Sequence, residues 1–144
     1  MATRSRIGIE NEDGSVSSVY CHWDGYLEHN GVVLENHYKN RELVKKLISL
    51  GSISSLRESI ECPEGHSFQD PVEGYTIVYH RDRGESLDIR IHENKEAYFS
   101  SDLEEYGYLF TLNGEWLVKS GYSNHKTSPQ KVSSILNGSD VLIS

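Results

Sequence analysis

The sequence predicts an α+β fold: a single domain over residues 1–144, with an antiparallel sheet built from three hairpins and one or more packed helices. Three observations support this prediction. Stretches rich in β-forming residues alternate apolar and polar positions, turn residues join these stretches in pairs, and one segment has apolar residues at helical spacing. The length of 144 residues suits one hydrophobic core, because two domains would each be small for an independent core.

The first hairpin is predicted from residues 6–10 and 16–23, which are joined by turn residues ending in Gly14. Gly25 is expected to end or bend the second strand. Side chains of a strand point alternately to its two faces. Alternation along the second strand therefore places three residues on one face and three on the other: Val19, Cys21 and Trp23, against Tyr20, His22 and Asp24.

A loop over 27–30 and a short helix over 32–38 are expected next. A further helix is predicted over 41–50, where Asn40 is a suitable N-cap and the apolar residues form one stripe. Gly51 stands where a left-handed residue often ends a helix. Residues 52–72 form an irregular connection, and a connection of this length in a small domain is often functional or contains a short element.

The second hairpin is predicted from strands at 75–80 and 87–91, with Leu87, Ile89 and Ile91 facing inward and residues 81–85 as the turn. A helix is expected over 95–106, with Asn94 or Ser101 as its N-cap.

The third hairpin is predicted from residues 106–112 and 115–119. They are joined by Asn113 and Gly114, the preferred pair for a type I′ turn. A C-terminal helix is expected after Ser128 as N-cap and Pro129 at the first helical position, running to residues 137–138.

Charge and composition exclude several classes of partner. The formal net charge of −8 argues against non-specific binding to DNA or RNA, where Lys and Arg supply most of the affinity. No stretch approaches the ~20 apolar residues of a membrane span, so no membrane partner is expected. Residues 1–6 lack the apolar region of a secretory signal. Cys21 and Cys62 are too few for a disulfide framework and indicate reduced thiols in a cytoplasm.

Residues 20–26, Tyr-Cys-His-Trp-Asp-Gly-Tyr, are the densest group of chemically active side chains. His22 and Asp24 could act as acid and base, ligate a metal or hold a polar ligand, and the aromatic rings could stack on a base or sugar. A structural interpretation is also open, in which the tryptophan is core and residues 24–25 form a turn. His22 and Trp23 can contact one ligand only if the strand ends early or bends at 24–25. The candidate binding residues here are Tyr20, His22, Trp23, Asp24 and Tyr26.

Residues 80–85, His-Arg-Asp-Arg-Gly-Glu, form a second candidate site. Two arginines near two carboxylates form either a self-neutralised surface turn or an anion clamp, in which the carboxylates orient guanidiniums that hold a phosphate. A histidine in the irregular connection could complete the site or be a solvated loop residue. The candidates in these two segments are His66, His80, Arg81, Asp82, Arg83 and Glu85.

No catalytic residue, metal or cofactor is predicted, and a non-catalytic role is favoured over an enzymatic one. A single His-x-Thr, at His125 and Thr127, lacks the second copy that phosphodiester-cleaving enzymes with this motif use. No glycine-rich phosphate loop and no compact metal motif occurs. Five suitable metal ligands lie on separate segments: His22, Asp24, His66, His80 and Asp82.

Five segments of the chain carry a resemblance that covers roughly residues 1–90. The chain resembles a family of small proteins of tailed phages, including T-even-like phages, mostly of unknown function. The words Tyr-Cys-His-Trp-Asp-Gly-Tyr and Arg-Asp-Arg-Gly-Glu are fairly specific to this family, and the family has no established catalytic residues to transfer. The segments that match are residues 4–8, 19–26, 50–56, 66–68 and 79–85.

The resemblance implies a phage accessory protein that acts against host defence in the cytoplasm of the infected host. We expect it to bind and sequester a nucleotide-derived signalling molecule, such as a cyclic oligonucleotide or cyclic ADP-ribose. One alternative is a protein–protein inhibitor of a host defence factor that uses the acidic surface. A second is a phosphodiesterase or nucleotide hydrolase. The partner is therefore a small nucleotide-like ligand or a host protein, and a homo-oligomer is compatible with either.

Overall fold

The computed structural model describes residues 2–101, 103–121, 128–138 and 141–143. Over these residues, eight strands form one sheet that carries helices on its faces. The strands are β1 Ser5–Glu10, β2 Val16–Cys21, β3 Ile53–Ser55, β4 Ile77–Val78, β5 Arg90–His92, β6 Tyr106–Phe110, β7 Trp116–Ser120 and β8 Gln130–Lys131. The helices are α1 Val32–His37, α2 Arg41–Ser49, α3 Tyr79–Arg83, α4 Lys95–Ser100 and α5 Val132–Leu136.

The sheet is mostly antiparallel, which confirms the α+β prediction at that level. The strand order is β4-β3-β2-β1-β6-β7-β8, and β5 pairs with the outer edge of β2 beside β3. Two pairs, β1 with β6 and β2 with β3, are parallel. The prediction of a sheet made from hairpins alone is wrong there, because parallel neighbours require crossover connections. The crossover from β2 to β3 contains α1 and α2.

The first and third hairpins form as predicted, as β1–β2 and β6–β7, and we refer to them as the paired hairpins. The second predicted hairpin is wrong. Strand β4 pairs with β3, strand β5 pairs with β2, and the residues between them begin with the helix α3 instead of a turn. Backbone partners from distant parts of the chain thus replace the local pairing that the sequence pattern favours.

The predicted inward face of the residues before and within β5 is also wrong in part. Ile91 is 65% exposed and Leu87 is 50% exposed, whereas Ile89 packs against the main core. His92 is the buried residue of β5, and its ring lies 4.9 Å from that of Tyr98 on α4. The face that β5 buries is therefore set by the helix packed on it.

Local turn and cap chemistry is largely confirmed. The Asn40 side chain accepts from the Leu43 N–H at 2.8 Å, and Gly51 follows α2 with a left-handed φ of 79°. Asn94 caps α4 in the same way, with 2.8 Å to the Ala97 N–H.

Three predicted segments differ at their ends. The predicted loop at 27–30 is a π-helical turn, Leu27–Gly31. Helix α4 stops well before residue 106, because that residue begins β6. The C-terminal helix starts at Val132 rather than directly after Pro129, because Gln130–Lys131 pairs with β7 as β8.

The loops of the paired hairpins have the same construction. In each, the N–H of a glycine donates to the carbonyl three residues back: Gly14 to Asn11 and Gly114 to Thr111, both at 2.9 Å. Both glycines are left-handed, with φ of 89° and 80°. Asn113 does not have a positive φ, so the predicted type I′ turn is wrong. The loop is a type I turn followed by a left-handed glycine, the arrangement that longer hairpin loops favour.

The two faces of the sheet carry separate apolar clusters. The larger one packs α1, α2 and α5 against side chains such as Ile7, Val19 and Val118. The smaller one packs α4 against Val16 and Leu109 on the other face. Within the described ranges, no helix is both long and apolar enough to cross a membrane. The predicted His-x-Thr at residues 125–127 lies outside the described residues.

Candidate functional site

Strand β2 ends at Cys21, and the chain then turns away from the sheet. The N–H groups of His22 and Trp23 donate to the carbonyls of Ile53 at 2.9 Å and Ser54 at 3.0 Å. These two successive bonds replace the alternating pattern of a strand. The prediction that Trp23 shares a face with Cys21 is therefore wrong: Cys21 is fully buried and Trp23 is 42% exposed.

The bend after Trp23 is held by a close approach of backbone to backbone. Asp24 is left-handed, with a φ of 57°, a conformation that aspartate tolerates better than most residues. The Gly25 N–H donates to the Thr3 carbonyl at 2.8 Å, and the Gly25 carbonyl accepts from the Tyr108 hydroxyl at 2.7 Å. A Cβ at Gly25 would lie 2.8 Å from the Ser5 Cβ, so only glycine fits without a shift.

The bend brings three rings of the predicted site into one row. The Tyr20 hydroxyl and His22 Nδ1 are 2.6 Å apart, a hydrogen bond whose donor depends on the imidazole tautomer. The His22 and Trp23 rings meet edge to face at 4.7 Å. Burial, followed by the charge of Glu104, raises the pKa of Tyr20, so its hydroxyl stays protonated at neutral pH. The geometric condition for His22 and Trp23 to contact one ligand is met.

The outer edge of β2 is shared by two strands. Residues Val16, Ser17 and Ser18 pair with β5, and Cys21 pairs with Ile53 of β3. We call this region, from β2 to the segments that flank it, the split edge. A cleft of about 290 Å³ lies there, the split-edge cleft, and it is lined by Tyr20, Ser52, Tyr79, Glu85, Ser86 and Asp88.

One rim of the split-edge cleft carries an arginine stacked on aromatic rings. The Arg83 guanidinium lies 4.3 Å from the Phe68 ring centre and 4.9 Å from that of Tyr79. It also pairs with the Glu85 carboxylate, and both side chains are nearly half exposed. The His80 ring nitrogen Nδ1 lies 2.6 Å from the Glu85 carbonyl oxygen. Stacking and pairing together hold this positive charge beside the cleft.

Arg81 points away from the cleft and has a structural role. Its guanidinium donates to the carbonyls of Ile60 at 2.6 Å and Thr76 at 3.0 Å, and to the Asp82 carboxylate at 2.8 Å. It thereby joins α3 to the long connection between β3 and β4. These partners use most of the five N–H donors of the guanidinium, so it lacks a free pair of donors for a bidentate phosphate clamp.

Asp82 of α3 and His66 of the long connection have fully buried side chains, and His66 Nε2 lies 3.6 Å from the Asp82 carboxylate. Asp82 accepts from the Val78 N–H at 2.9 Å, and His66 Nδ1 accepts from the Val72 N–H at 3.0 Å. Burial alone would raise the pKa of the Asp82 carboxyl. The hydrogen bonds and charge of Arg81, with the Val78 N–H, outweigh burial and hold the pKa below its ordinary value of 3.8.

Asp24 and Tyr26 form a small cluster that does not line the split-edge cleft. The Tyr26 hydroxyl donates to the Asp24 carboxylate at 3.3 Å, and the Tyr26 ring lies 6.4 Å from that of His29. His29 in turn contacts the Leu56 carbonyl at 3.0 Å. This cluster stabilises the turn that follows β2.

The structure thus divides the predicted site residues into three groups. Tyr20 and Glu85 line the cleft. Three contact these two directly, namely His22, His80 and Arg83, and Trp23 contacts His22. Five do not line the cleft. His66, Arg81 and Asp82 form a cluster of ion pairs at α3, and Asp24 and Tyr26 lie in the turn after β2.

Sequence reasoning missed four of the lining residues. Tyr79 could have been chosen as a candidate, because it begins the Tyr-His-Arg-Asp-Arg-Gly-Glu segment on which the family resemblance partly rests. The others are single polar residues in loops, with no pattern that distinguishes them from ordinary surface residues. They are Ser52, Ser86 and Asp88.

The chemical inventory of the site favours binding groups over reactive ones. Across the residues that the structure describes, no three His, Cys, Asp or Glu side chains are grouped so that they could hold a metal ion. Burial raises the pKa of the Cys21 thiol to about 11, which leaves it a poor nucleophile at neutral pH. His66, one candidate general base, is fully enclosed.

Comparison with known proteins identifies no relative. No protein-family model, no curated protein and no solved structure matches this chain significantly.

Proposed function

We propose that this protein binds a nucleotide-derived signalling molecule in the split-edge cleft and sequesters it without chemical change. The observation that carries the proposal is the lining of the cleft. Two tyrosines from different elements, Tyr20 of β2 and Tyr79 of α3, line a space in which polar side chains also converge. Stacking of a base on an aromatic side chain contributes about 1–3 kcal/mol per base.

Charge at the rim supports the same class of ligand. The Arg83 guanidinium is exposed, stacked on Phe68 and Tyr79, and paired only with an exposed carboxylate that it can exchange for a phosphate. This local positive group allows a nucleotide to bind despite the net charge of −8. The second predicted arginine, Arg81, takes no part, since its donors serve Asp82 and two backbone carbonyls.

The biological role in the proposal follows from the resemblance to small tailed-phage proteins. A phage protein that removes a host signal acts in the cytoplasm of the infected cell and blocks a defence response. Sequestration requires tight binding and no catalytic group, and the cleft offers aromatic, hydroxyl and carboxylate side chains suited to binding.

The proposal is tested by isothermal titration against cyclic oligonucleotides, cyclic ADP-ribose and ADP-ribose. We expect one of them to bind, and Tyr79→Ala to weaken binding at least about tenfold through lost stacking. Tyr26→Ala is the matched control, because Tyr26 is an exposed aromatic residue outside the cleft lining. Absence of heat with every ligand would refute the proposal.

Mass spectrometry of the bound ligand separates sequestration from hydrolysis. After incubation with divalent metal ions and then denaturation, a sequestering protein returns the ligand with unchanged mass. A changed mass would instead support the phosphodiesterase or nucleotide hydrolase.

An inhibitor of a host protein is the second candidate, and one observation favours it. Ile91, 65% exposed, lines a groove of about 350 Å³ between α2 and β5 together with Ile9, Ile48 and Ile89. Exposed apolar surface beside a free strand edge is typical of protein-binding sites. If this candidate is correct, Ile91→Glu abolishes inhibition of the host factor. Leu112→Glu, an equally drastic change at an exposed hairpin loop, leaves inhibition intact.

A further inference from the structure

We infer that the ligand of the split-edge cleft is a nucleotide of the ADP-ribose class, with a free ribose 2′,3′-diol whose hydroxyls donate to Glu85 and Asp88. This inference rests on the proposed function and narrows it to one class of ligand. It derives from three features of the cleft: the hydrogen-bonding character of its lining, its size, and the position of its one adjacent arginine.

The two carboxylates of the lining restrict what can bind beside them. An ionised carboxylate only accepts hydrogen bonds, so the ligand must present donors to Glu85 and Asp88. Ribose hydroxyls are such donors, and carboxylates recognise ribose in this way in dinucleotide-binding folds. A phosphate in the same position would carry only acceptors and would meet two negative charges. The surroundings of these two carboxylates therefore suit the sugar better than the phosphate.

The volume of the cleft limits the ligand to one nucleoside unit inside it. About 290 Å³ lies at the lower end of the range for small-molecule sites, roughly 300–1,000 Å³. One base can stack on Tyr20 or Tyr79 while its ribose contacts the carboxylates. A second nucleoside has to lie outside the cleft, so most of the surface of a cyclic oligonucleotide would stay in solvent.

Arg83 provides a place for the phosphate at the rim. It lies over the Tyr79 ring, which itself lines the cleft, and it is paired with Glu85. Exposed ion pairs of this kind contribute little to stability and exchange partners easily. Binding then consists of a coupled exchange: Glu85 leaves Arg83 and accepts from a ribose hydroxyl, while Arg83 turns to the phosphate next to that ribose.

The requirement for a diol separates the two classes of signal considered above. In a cyclic oligonucleotide each ribose uses one of its two secondary hydroxyls in the phosphodiester ring, so no free diol remains. ADP-ribose and cyclic ADP-ribose keep the 2′,3′-diol on both of their riboses. With one hydroxyl lost, one of the two carboxylates in the cleft loses the hydrogen-bond donor that the diol would offer it.

The decisive experiment compares ADP-ribose with 2′-deoxy-ADP-ribose, modified on the adenosine ribose, and with cyclic di-AMP by isothermal titration. We expect ADP-ribose to bind at least about tenfold more tightly than either of the others. Asp88→Asn should weaken ADP-ribose binding at least about tenfold and change 2′-deoxy-ADP-ribose binding much less. Asp70→Asn is the control, because it makes the same charge change at an exposed residue outside the cleft lining.

The outcomes distinguish this inference from the proposed function. Equal binding of ADP-ribose and its deoxy analogue, or tighter binding of cyclic di-AMP with no effect of Asp88→Asn, overturns the diol inference and leaves nucleotide sequestration standing. If none of the three nucleotides binds and the panel above also produces no heat, both fail. Weakening by Asp70→Asn as strong as by Asp88→Asn would show a general charge effect and would also overturn the inference.

Discussion

The paired hairpins and the split edge of β2 are assembled in opposite ways. Each hairpin joins neighbouring strands through a five-residue loop that ends its type I turn with a left-handed glycine. The split edge instead joins β2 to strands β3 and β5, which lie more than thirty and about seventy residues further along the chain. The loops of the hairpins contribute no side chain to the cleft. The split edge contains the cleft, the stacked Arg83 and the buried His66–Asp82 pair.

The comparison shows where a binding site can arise in a small sheet. A continuous ladder satisfies every backbone group and leaves no concave space. Where two partners share one strand edge, the ladder is interrupted, and Tyr20 lies at this interruption with a side chain that lines a cleft. Residues from distant segments then converge at one place. We expect the two regions to differ in stability as they differ in construction.

Thiol labelling should produce the largest difference, because one cysteine lies in an exposed connection and the other at the buried end of β2. Cys62, in the connection between β3 and β4, is exposed, whereas Cys21 at the end of β2 is fully buried. We expect a thiol reagent to modify Cys21 at least about 10³-fold more slowly, at a rate set by opening of the sheet. Mass spectrometry of the Cys62→Ser and Cys21→Ala variants assigns each rate. Similar rates would contradict the buried end of β2.

Removal of Arg81 should strongly destabilise the split edge. The substitution Arg81→Ala removes the guanidinium that pairs with the buried Asp82 carboxylate, so we expect a loss of about 3 kcal/mol in the free energy of unfolding. The neighbouring Arg83→Ala is the control, because that side chain is exposed and should cost less than about 1 kcal/mol. Urea denaturation measures both values. Equal losses would mean that Arg81 has no special structural role.

The same ion pair should make stability depend on pH. The pKa of Asp82 lies below its ordinary value of 3.8 in the folded protein, so its ionisation stabilises the fold at neutral pH. This contribution is lost as the pH falls below about 4 and through the folded-state pKa. The stability difference between the native chain and Arg81→Ala should therefore shrink between pH 7 and about pH 3. A constant difference over this range would contradict the depressed pKa.

Gly25→Ala should have an intermediate effect, located at the bend between the two regions. The added methyl group would lie 2.8 Å from the Ser5 Cβ and 2.9 Å from the Thr3 carbonyl oxygen. Overpacking of this kind costs about 1–3 kcal/mol. Urea denaturation measures the loss, and Trp fluorescence should change because the bend positions Trp23. Unchanged stability and fluorescence would show that the backbone there can move.

Substitution of the two hairpin glycines should have the smallest effect on stability, and the effect should be equal at the two positions. Gly14→Ala and Gly114→Ala force a left-handed alanine into open space, since no atom approaches within 3.4 Å of the new Cβ. Each should cost about 1 kcal/mol through backbone conformation alone. Thermal unfolding of the two variants should agree within about 0.5 kcal/mol. A large difference between them would show that the loops are not equivalent.

Local chemistry made the hairpins and helix ends predictable. Asn40, Gly51 and Asn94 act through backbone groups within four residues, so a short window of sequence contains all the information. The type of the third hairpin turn was missed because the pair Asn113-Gly114 favours a type I′ turn only in a two-residue loop. The family-derived functional prediction remains a prediction.

The candidate site could be recognised from its residues only in part. His22, Trp23 and Tyr20 do form one row, as their density suggested, and Glu85 does line the cleft. Arg81 and Arg83 were equivalent in sequence, yet one is a partly buried structural partner and the other is exposed at the rim. The six-residue segment alone does not distinguish them, because two of the backbone partners of Arg81 come from residues 60 and 76.

The amino-acid sequence alone accounts for the α+β class, the paired hairpins and the capped helices. Their interactions are local, so residue type and spacing suffice. The partners of β4 and β5, the exposure of Trp23 and the lining of the cleft follow from the tertiary structure. The physical reason is that a strand edge offers equivalent N–H and C=O groups to any partner, and packing of distant segments selects which strand pairs with it.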